Sequence, residues 1–445
     1  MVLVISTLPL HLILLATLVG ALMGCVTGLV PGLHSNNVAT FIGANPGFLL
    51  GFAFLGMTAN EGDVEAIAAS CLVVSCAVSH TVANIIPSVF LAIPDEDTAL
   101  SVLPGHRMVR AGRGGEAVRI SVMSSLASLA IALTIILPVC HLMGPPVNLY
   151  QMMAPFIAPL LCGVSILMVL REAGKRGKPG ALGGWRAALV ALVILLASGA
   201  IGHMALFQLG LVAPLFIGLF GIPVLLFAMG SGIDRTLPVH TDEREVTLPP
   251  WGPVIKGSLA GSLVGWFPGV SAAQATILAI PGEETPADDV DGARRFIAAV
   301  SAVNTANALF TLVALAALLR VRSGAMGTVS ALMAWDVAPW SGGLPGLDVA
   351  LLILSATVGG VVAAPFTLIV SSQVQRMLPY LSDPRVMFFI LSFLVSVCIW
   401  AGGWNAGLVL LAASGLGMVP PLLGLMRVHL MGAVTLPLVL GSMMG

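Results

Sequence analysis

Residues 20–37 read GALMGCVTGLVPGLHSNN, an apolar helix with glycine at every fourth position that halts at Pro31-Gly32 and continues as His34, Ser35, Asn36 and Asn37. Glycines at i, i+4 and i+8 share one helix face and let another backbone approach closely. The Pro-Gly step strips backbone groups of their helical partners. In a membrane such a break survives only where it is buried in protein or lines a water-filled cavity. The reading therefore turns on whether the surrounding chain is a membrane chain.

Of the 445 residues, 58% are hydrophobic and 9% charged, and the mean hydropathy is +1.04. That composition belongs to a polytopic membrane protein. The runs 10–30, 120–142, 187–201, 206–229, 349–370 and 386–400 approach or exceed the ~20 apolar residues that cross a bilayer as helix. With the interrupted stretches they predict an all-α protein of about 10–12 transmembrane helices in the cell membrane. No Lys or Arg precedes Arg107, so the first run is expected to stay as a membrane helix rather than be cleaved as a signal peptide. The six cysteines lie in apolar segments without paired metal spacing and read as packed free thiols. A net charge of -1 leaves no footprint for nucleic acid.

The basic loops 106–119 and 171–186 both belong on the cytoplasmic side by the positive-inside rule. The acidic stretches 60–65 and 282–292 say little about orientation. The most polar stretch, 231–251, reads as a linker between a first transmembrane repeat (1–230) and a second (252–445).

The repeat is explicit. Gly20, Gly24, Gly28, Pro31 and Gly32 recur as Gly257, Gly261, Gly265, Pro268 and Gly269, each displaced by 237 residues. Further on, SHTVAN (79–84) pairs with VNTANA (303–308), each read as an Asn-bearing break in an apolar run. Two homologous halves with broken or re-entrant helices are the pattern of secondary transporters, whose site lies at the repeat interface near mid-membrane. The repeats are expected to be inverted.

After each break a restarting helix offers free N–H groups and the positive end of its dipole, which suits an anion without Lys or Arg. The substrate-binding candidates are Pro31, Gly32, His34, Ser35, Asn36, Asn37, Thr40 and Asn84 in the first half. Pro268, Gly269, Ser271, Gln274, Asn304, Thr305 and Asn307 are their counterparts in the second, with Thr276 nearby. The glycine faces themselves read as helix packing. Amide oxygens of Asn37, Asn84, Gln274 and Asn307 suit a hard cation such as Na+. The intramembrane asparagines also read as interhelical hydrogen-bonding groups. His34 and His80 beside the breaks, and Asp336 in ALMAWDVAPW, are candidates for coupling to H+; Asp336 reads equally as an interfacial acid between Trp335 and Trp340. No resident cofactor is called for. None of the motifs HExxH, CxxC, GxxxxGK[ST] or GxSxG occurs.

GCVTGLVPGL and GSLVGWFPGV, together with IPDEDTALSVLPGHRMVRAGRGGEAV (93–118), resemble the permease subunit of the tripartite tricarboxylate transporters, the TctA family, as a divergent member. In place of the family's Pro-Gly after the first Asn break stands Pro94-Asp95. The resemblance implies a multi-pass permease driven by an ion gradient, partnered by a small membrane subunit and an extracytoplasmic binding protein. Taken with the residues, it gives a symporter for a small organic anion, a di- or tricarboxylate, coupled to Na+ or H+. Homo-oligomers are compatible with this reading. The same helix ends would also suit a lipid phosphate in a translocase of polyprenyl-phosphate carriers. A lipid-modifying enzyme at His34 and His80 is a third reading, without a nucleophile or metal cluster to support it.

Overall fold

The computed structural model describes residues 10–30, 35–44, 62–91, 102–174, 182–230, 248–267, 272–280, 290–335, 337–340, 343–381 and 384–444. Most of these residues are helical, with no strand among them. The principal helices of the first half are α1 (Leu10–Leu29), α2 (Ser35–Ala44), α3 (Gly62–Ala83), α4 (Ile85–Phe90), α5 (Val102–Arg110) and α6 (Gly114–Met143). They are followed by α7 (Leu149–Met153), α8 (Ile157–Ala173), α9 (Gly184–Gly202), α10 (Val212–Phe216) and α11 (Ile222–Gly230). The second half contributes α12 (Trp251–Val264), α13 (Ala272–Ala279), α14 (Val290–Leu318), α15 (Gly324–Met333), α16 (Leu347–Leu381), α17 (Pro384–Leu423) and α18 (Gly432–Met444).

Among the described residues seven helices are long and apolar enough to cross a membrane, or eight if the bent pair Leu149–Phe156 and Ala158–Ala173 makes one span. Four shorter apolar helices lie beside them. The ten to twelve expected for the whole chain included interrupted stretches, and among the described residues several apolar runs are interrupted. The run 206–229 is broken by π-type turns at His203–Gln208 and Ile217–Gly221. In α17 Gly403, at φ 62°, separates two helices that sequence alone joins only loosely.

The core is built on two helix pairs. Gly20, Gly24 and Gly28 on α1 face Leu72, Cys76 and His80–Asn84 on α3. Gly257, Gly261 and Gly265 on α12 face Ala299, Val303 and Phe310 on α14. In both pairs the contacts advance together, so the helices run parallel. The approach depends on glycine: a Cβ on Gly24 would overlap the Cys76 carbonyl oxygen, and one on Gly261 the Val303 carbonyl oxygen.

Each pair recruits a long helix from the opposite half. Helix α16 lies on α3, with Gly359 against Ser75 and Gly360 against Val78, and meets α1 where the hydroxyls of Thr17 and Ser355 are 2.9 Å apart. Helix α6 lies on α14 through a hydrogen bond from Ser301 Oγ to Ser121 Oγ at 2.8 Å and one from Ser128 Oγ to the Ala302 carbonyl at 2.7 Å. At its start the buried Glu116 is held by Arg113 of its own turn and by Arg294 of α14, whose Nε is 2.9 Å from Glu116 Oε1. At its end Gly144 lies beside Ala317. Helices α6 and α14 therefore start on the same side.

Helices α6 and α16 are antiparallel, since Gly115 meets Gln375 while Leu129 meets Gly360. Helices α6, α12 and α14 thus run one way and α1, α3 and α16 the other; with the basic loop before α6 on the cytoplasmic side, as the positive-inside rule expects, the first three would run outward. Helices α8–α11, α17 and α18 form a second bundle beside this core. There the buried Glu172 accepts from the Met426 backbone N–H at 3.0 Å, and its Oε1 is 3.1 Å from His429 Nε2, tying α8 to the turn before α18.

Candidate anion site at the helix breaks

Helix α1 ends at Leu29 and α2 begins at Ser35; α12 ends at Val264 and α13 begins at Ala272. A helix thus restarts after each Pro-Gly step, and the two restarts keep the 237-residue displacement. Pro31, Gly32, His34, Pro268, Gly269, Ser271 and Asp336, and the side chains of Asn37, Thr40 and Gln274, lie outside the described residues. The remaining candidates are placed.

Around the first break, His80 Nδ1 is 3.0 Å from Thr27 Oγ1, which is also 3.0 Å from the Gly24 carbonyl oxygen. One hydroxyl proton cannot serve both acceptors. If Thr27 donates to Gly24, the imidazole must donate from Nδ1. One turn further, Asn84 interrupts the span between α3 and α4. Its side chain is 2% exposed, and neither Nδ2 nor Oδ1 has a hydrogen-bond partner among the described residues. A buried amide left so costs about 1–3 kcal/mol. Interhelical hydrogen bonding, which offsets such a cost elsewhere, is not supplied to Asn84 there.

Asn36 lies beyond the break, and its Oδ1 accepts from the Ala325 backbone N–H at 2.9 Å, so the first half caps α15 of the second. Ser35 is buried.

Around the second break the chemistry differs. The pairs Leu72/Ala299 and Cys76/Val303 hold the same places against their glycines, so α3 and α14 correspond at a displacement of 227. Within α14 the sequence pairing of 79–84 with 303–308 is thus shifted by about a turn: His80 corresponds to Asn307, and Asn84 to Thr311. The expected break at 303–308 is absent, for α14 runs unbroken from Val290 to Leu318. It is held through that region by local bonds, Thr305 Oγ1 to the Ser301 carbonyl at 3.0 Å and Thr311 Oγ1 to the Asn307 carbonyl at 2.7 Å. Thr276 does the same in α13, donating to Ala272. Such bonds use the hydroxyl proton and leave the oxygen able only to accept. Asn304 is buried on α14.

Sequence reasoning missed Arg322. The segments that contain the breaks hold no Lys or Arg, which pointed to an anion site made without cations. In the fold Arg322 Nη1 donates to the Val264 carbonyl at the end of α12, and lies 3.5 Å from Asn307 Oδ1. Three residues on, Ala325 meets Asn36. The short segment 322–325 thus joins the surroundings of both breaks. Beside it Arg320 stands 5.8 Å over the ring of Tyr150, which stacks on Phe267 at 5.6 Å. The signal was available as VRSG directly after an apolar run, but it lies outside the repeated glycine pattern. Among the described residues no group of three or more His, Cys, Asp or Glu is arranged to hold a metal.

Among the described residues, seven helices long and apolar enough to cross a membrane, or eight with the bent pair, make this a multi-pass membrane protein. The model of the tripartite tricarboxylate transporter TctA family matches residues 14–432, and the chain belongs to that family. Members of that family are permease components that work with a small membrane subunit and an extracytoplasmic binding protein. The chain is also similar to an uncharacterised protein of Methanocaldococcus jannaschii, 26% identical over 270 residues, 59% of each chain. It thus spans about three fifths of that relative's length. No solved structure matches it.

Proposed function

We propose that this chain carries a small organic di- or tricarboxylate across the membrane by alternating access, with the anion held between the breaks at Pro31-Gly32 and Pro268-Gly269. The observation that carries the reading is Asn84, a buried amide at a helix break whose two polar atoms have no hydrogen-bond partner among the described residues. Its Nδ2 suits a carboxylate oxygen, and its Oδ1 suits a hydroxyl or a hard cation. Asn37, Gln274 and Asn307 complete the amide set in this reading. Coupling is to Na+ or H+, with His34, His80 and Asp336 as the proton-side candidates.

The opposed directions of α1–α3 and α12–α14 support two inverted repeats, 1–230 and 252–445, joined by the polar segment 231–251. In this arrangement one triplet would move against the other and expose the site to each side in turn. Several copies could assemble without altering this mechanism.

The test is uptake of radiolabelled citrate and succinate into vesicles holding the chain with its small subunit and binding protein. Asn84→Ala, Asn37→Ala and Gln274→Ala should each lower uptake at least tenfold. Uptake unchanged in all three would place the substrate elsewhere.

A further inference from the structure

Arg322 does not belong to the repeated glycine pattern, and its placement runs against the charge asymmetry of the molecule. At the cytoplasmic ends of the core helices gather Arg113, Arg119, Arg294, Arg295 and Arg376. Among the described residues, Arg320 and Arg322 are the basic side chains that follow the outward end of α14. Arginine on that side opposes the orientation bias of a membrane protein, so its presence calls for a compensating use. Arg320 stays at the surface, over Tyr150. Arg322 is part-buried, and its Nη1 reaches the Val264 carbonyl at the end of α12 and the side chain of Asn307.

That location is one turn before Pro268 and, through Ala325, next to Asn36. Carbonyls at a helix C-terminus carry partial negative charge and hold a guanidinium there. A carboxylate binds a guanidinium more strongly than a neutral carbonyl does, because the bond is charge-assisted and can be bidentate. An arriving dianion or trianion can therefore draw Arg322 off the Val264 carbonyl.

We propose that Arg322 is the charge-reading residue of the anion site, exchanging the Val264 carbonyl for a substrate carboxylate on the extracytoplasmic side. The inference rests on the carboxylate reading given above. It adds the cation that amides alone cannot supply, and it makes discrimination by substrate charge a property of one side chain. A di- or tricarboxylate is preferred over a monocarboxylate because one carboxylate is bound by the guanidinium while another remains for the amides.

The experiment is calorimetric titration of the purified full chain in nanodiscs with citrate, succinate and acetate, in the presence of Na+. Arg322→Gln should weaken citrate at least tenfold and reduce the preference of citrate over acetate, while the unfolding temperature without ligand stays within a few degrees of wild type. Arg322→Lys, which keeps the charge and loses the bidentate fork, should fall between. Arg320→Gln should bind citrate within twofold of wild type. Citrate bound equally by wild type and Arg322→Gln overturns this inference and leaves the carboxylate site standing. If Arg322→Gln does not fold, undiminished citrate binding and charge preference in Arg322→Lys overturn it. Failure of wild type to bind any of the three removes the site reading and this inference with it.

Discussion

The pairs α1–α3 and α12–α14 share one construction and carry different chemistry. Each is a glycine-faced helix running parallel to a polar-punctuated one, and each is covered by a long helix from the other half. At matching places, however, the first pair presents His80 bonded to Thr27, whereas the second presents Asn307 facing Arg322. The first breaks its helix at Asn84, and the second stays helical through Thr311. The backbone contact that glycine permits is thus common to both, while the groups able to meet a ligand are not.

The largest expected effect breaks what the pairs share. Gly24→Ala and Gly261→Ala each push a Cβ into a backbone carbonyl that has no rotamer with which to give way. Each should cost about 3 kcal/mol, the upper end of the usual overpacking penalty. Gly163→Ala, where a Cβ meets nothing within 4 Å, should be nearly neutral. Thermal unfolding in one detergent checks all three, and tolerance at only one of the two core positions would show that the pairs are not equivalent.

A smaller effect sharpens the difference. Asn84→Leu removes an amide with no hydrogen-bond partner among the described residues and should raise stability by about 1–2 kcal/mol while abolishing anion binding. Asn307→Leu removes the acceptor near Arg322 and should lower stability by about 1 kcal/mol. Opposite signs in the same unfolding assay are the expected result. A loss of stability at both positions would make Asn84 an ordinary packing residue.

Much of this was legible in the residues. The glycine spacing fixed which helix faces pack, and the Pro-Gly steps located the breaks and restarts. The 237-residue displacement relates the glycines that face α3 and α14 and the starts of α2 and α13. It failed for α3 and α14, because the segments joining them to the breaks differ in length, so the second register had to be read from contacts. Arg322 and the cap on α15 were hidden for a related reason. They depend on meetings across 58 residues, from Arg322 to Val264, and across 289, from Asn36 to Ala325. No local pattern encodes such separations. Glu116 was equally silent, since its burial follows from Arg294 arriving on α14.

The account's central claim is that the two breaks serve one ligand. A double-mutant cycle on citrate affinity, with Asn84→Ala and Asn307→Ala made singly and together, tests it most directly. One residue comes from each half, and among the described residues their side chains have no hydrogen-bond partner in common. A shared ligand predicts losses that fail to add, with an interaction energy of about 0.5–3 kcal/mol. Losses that add to within about 0.5 kcal/mol would contradict the claim and divide the breaks into separate sites.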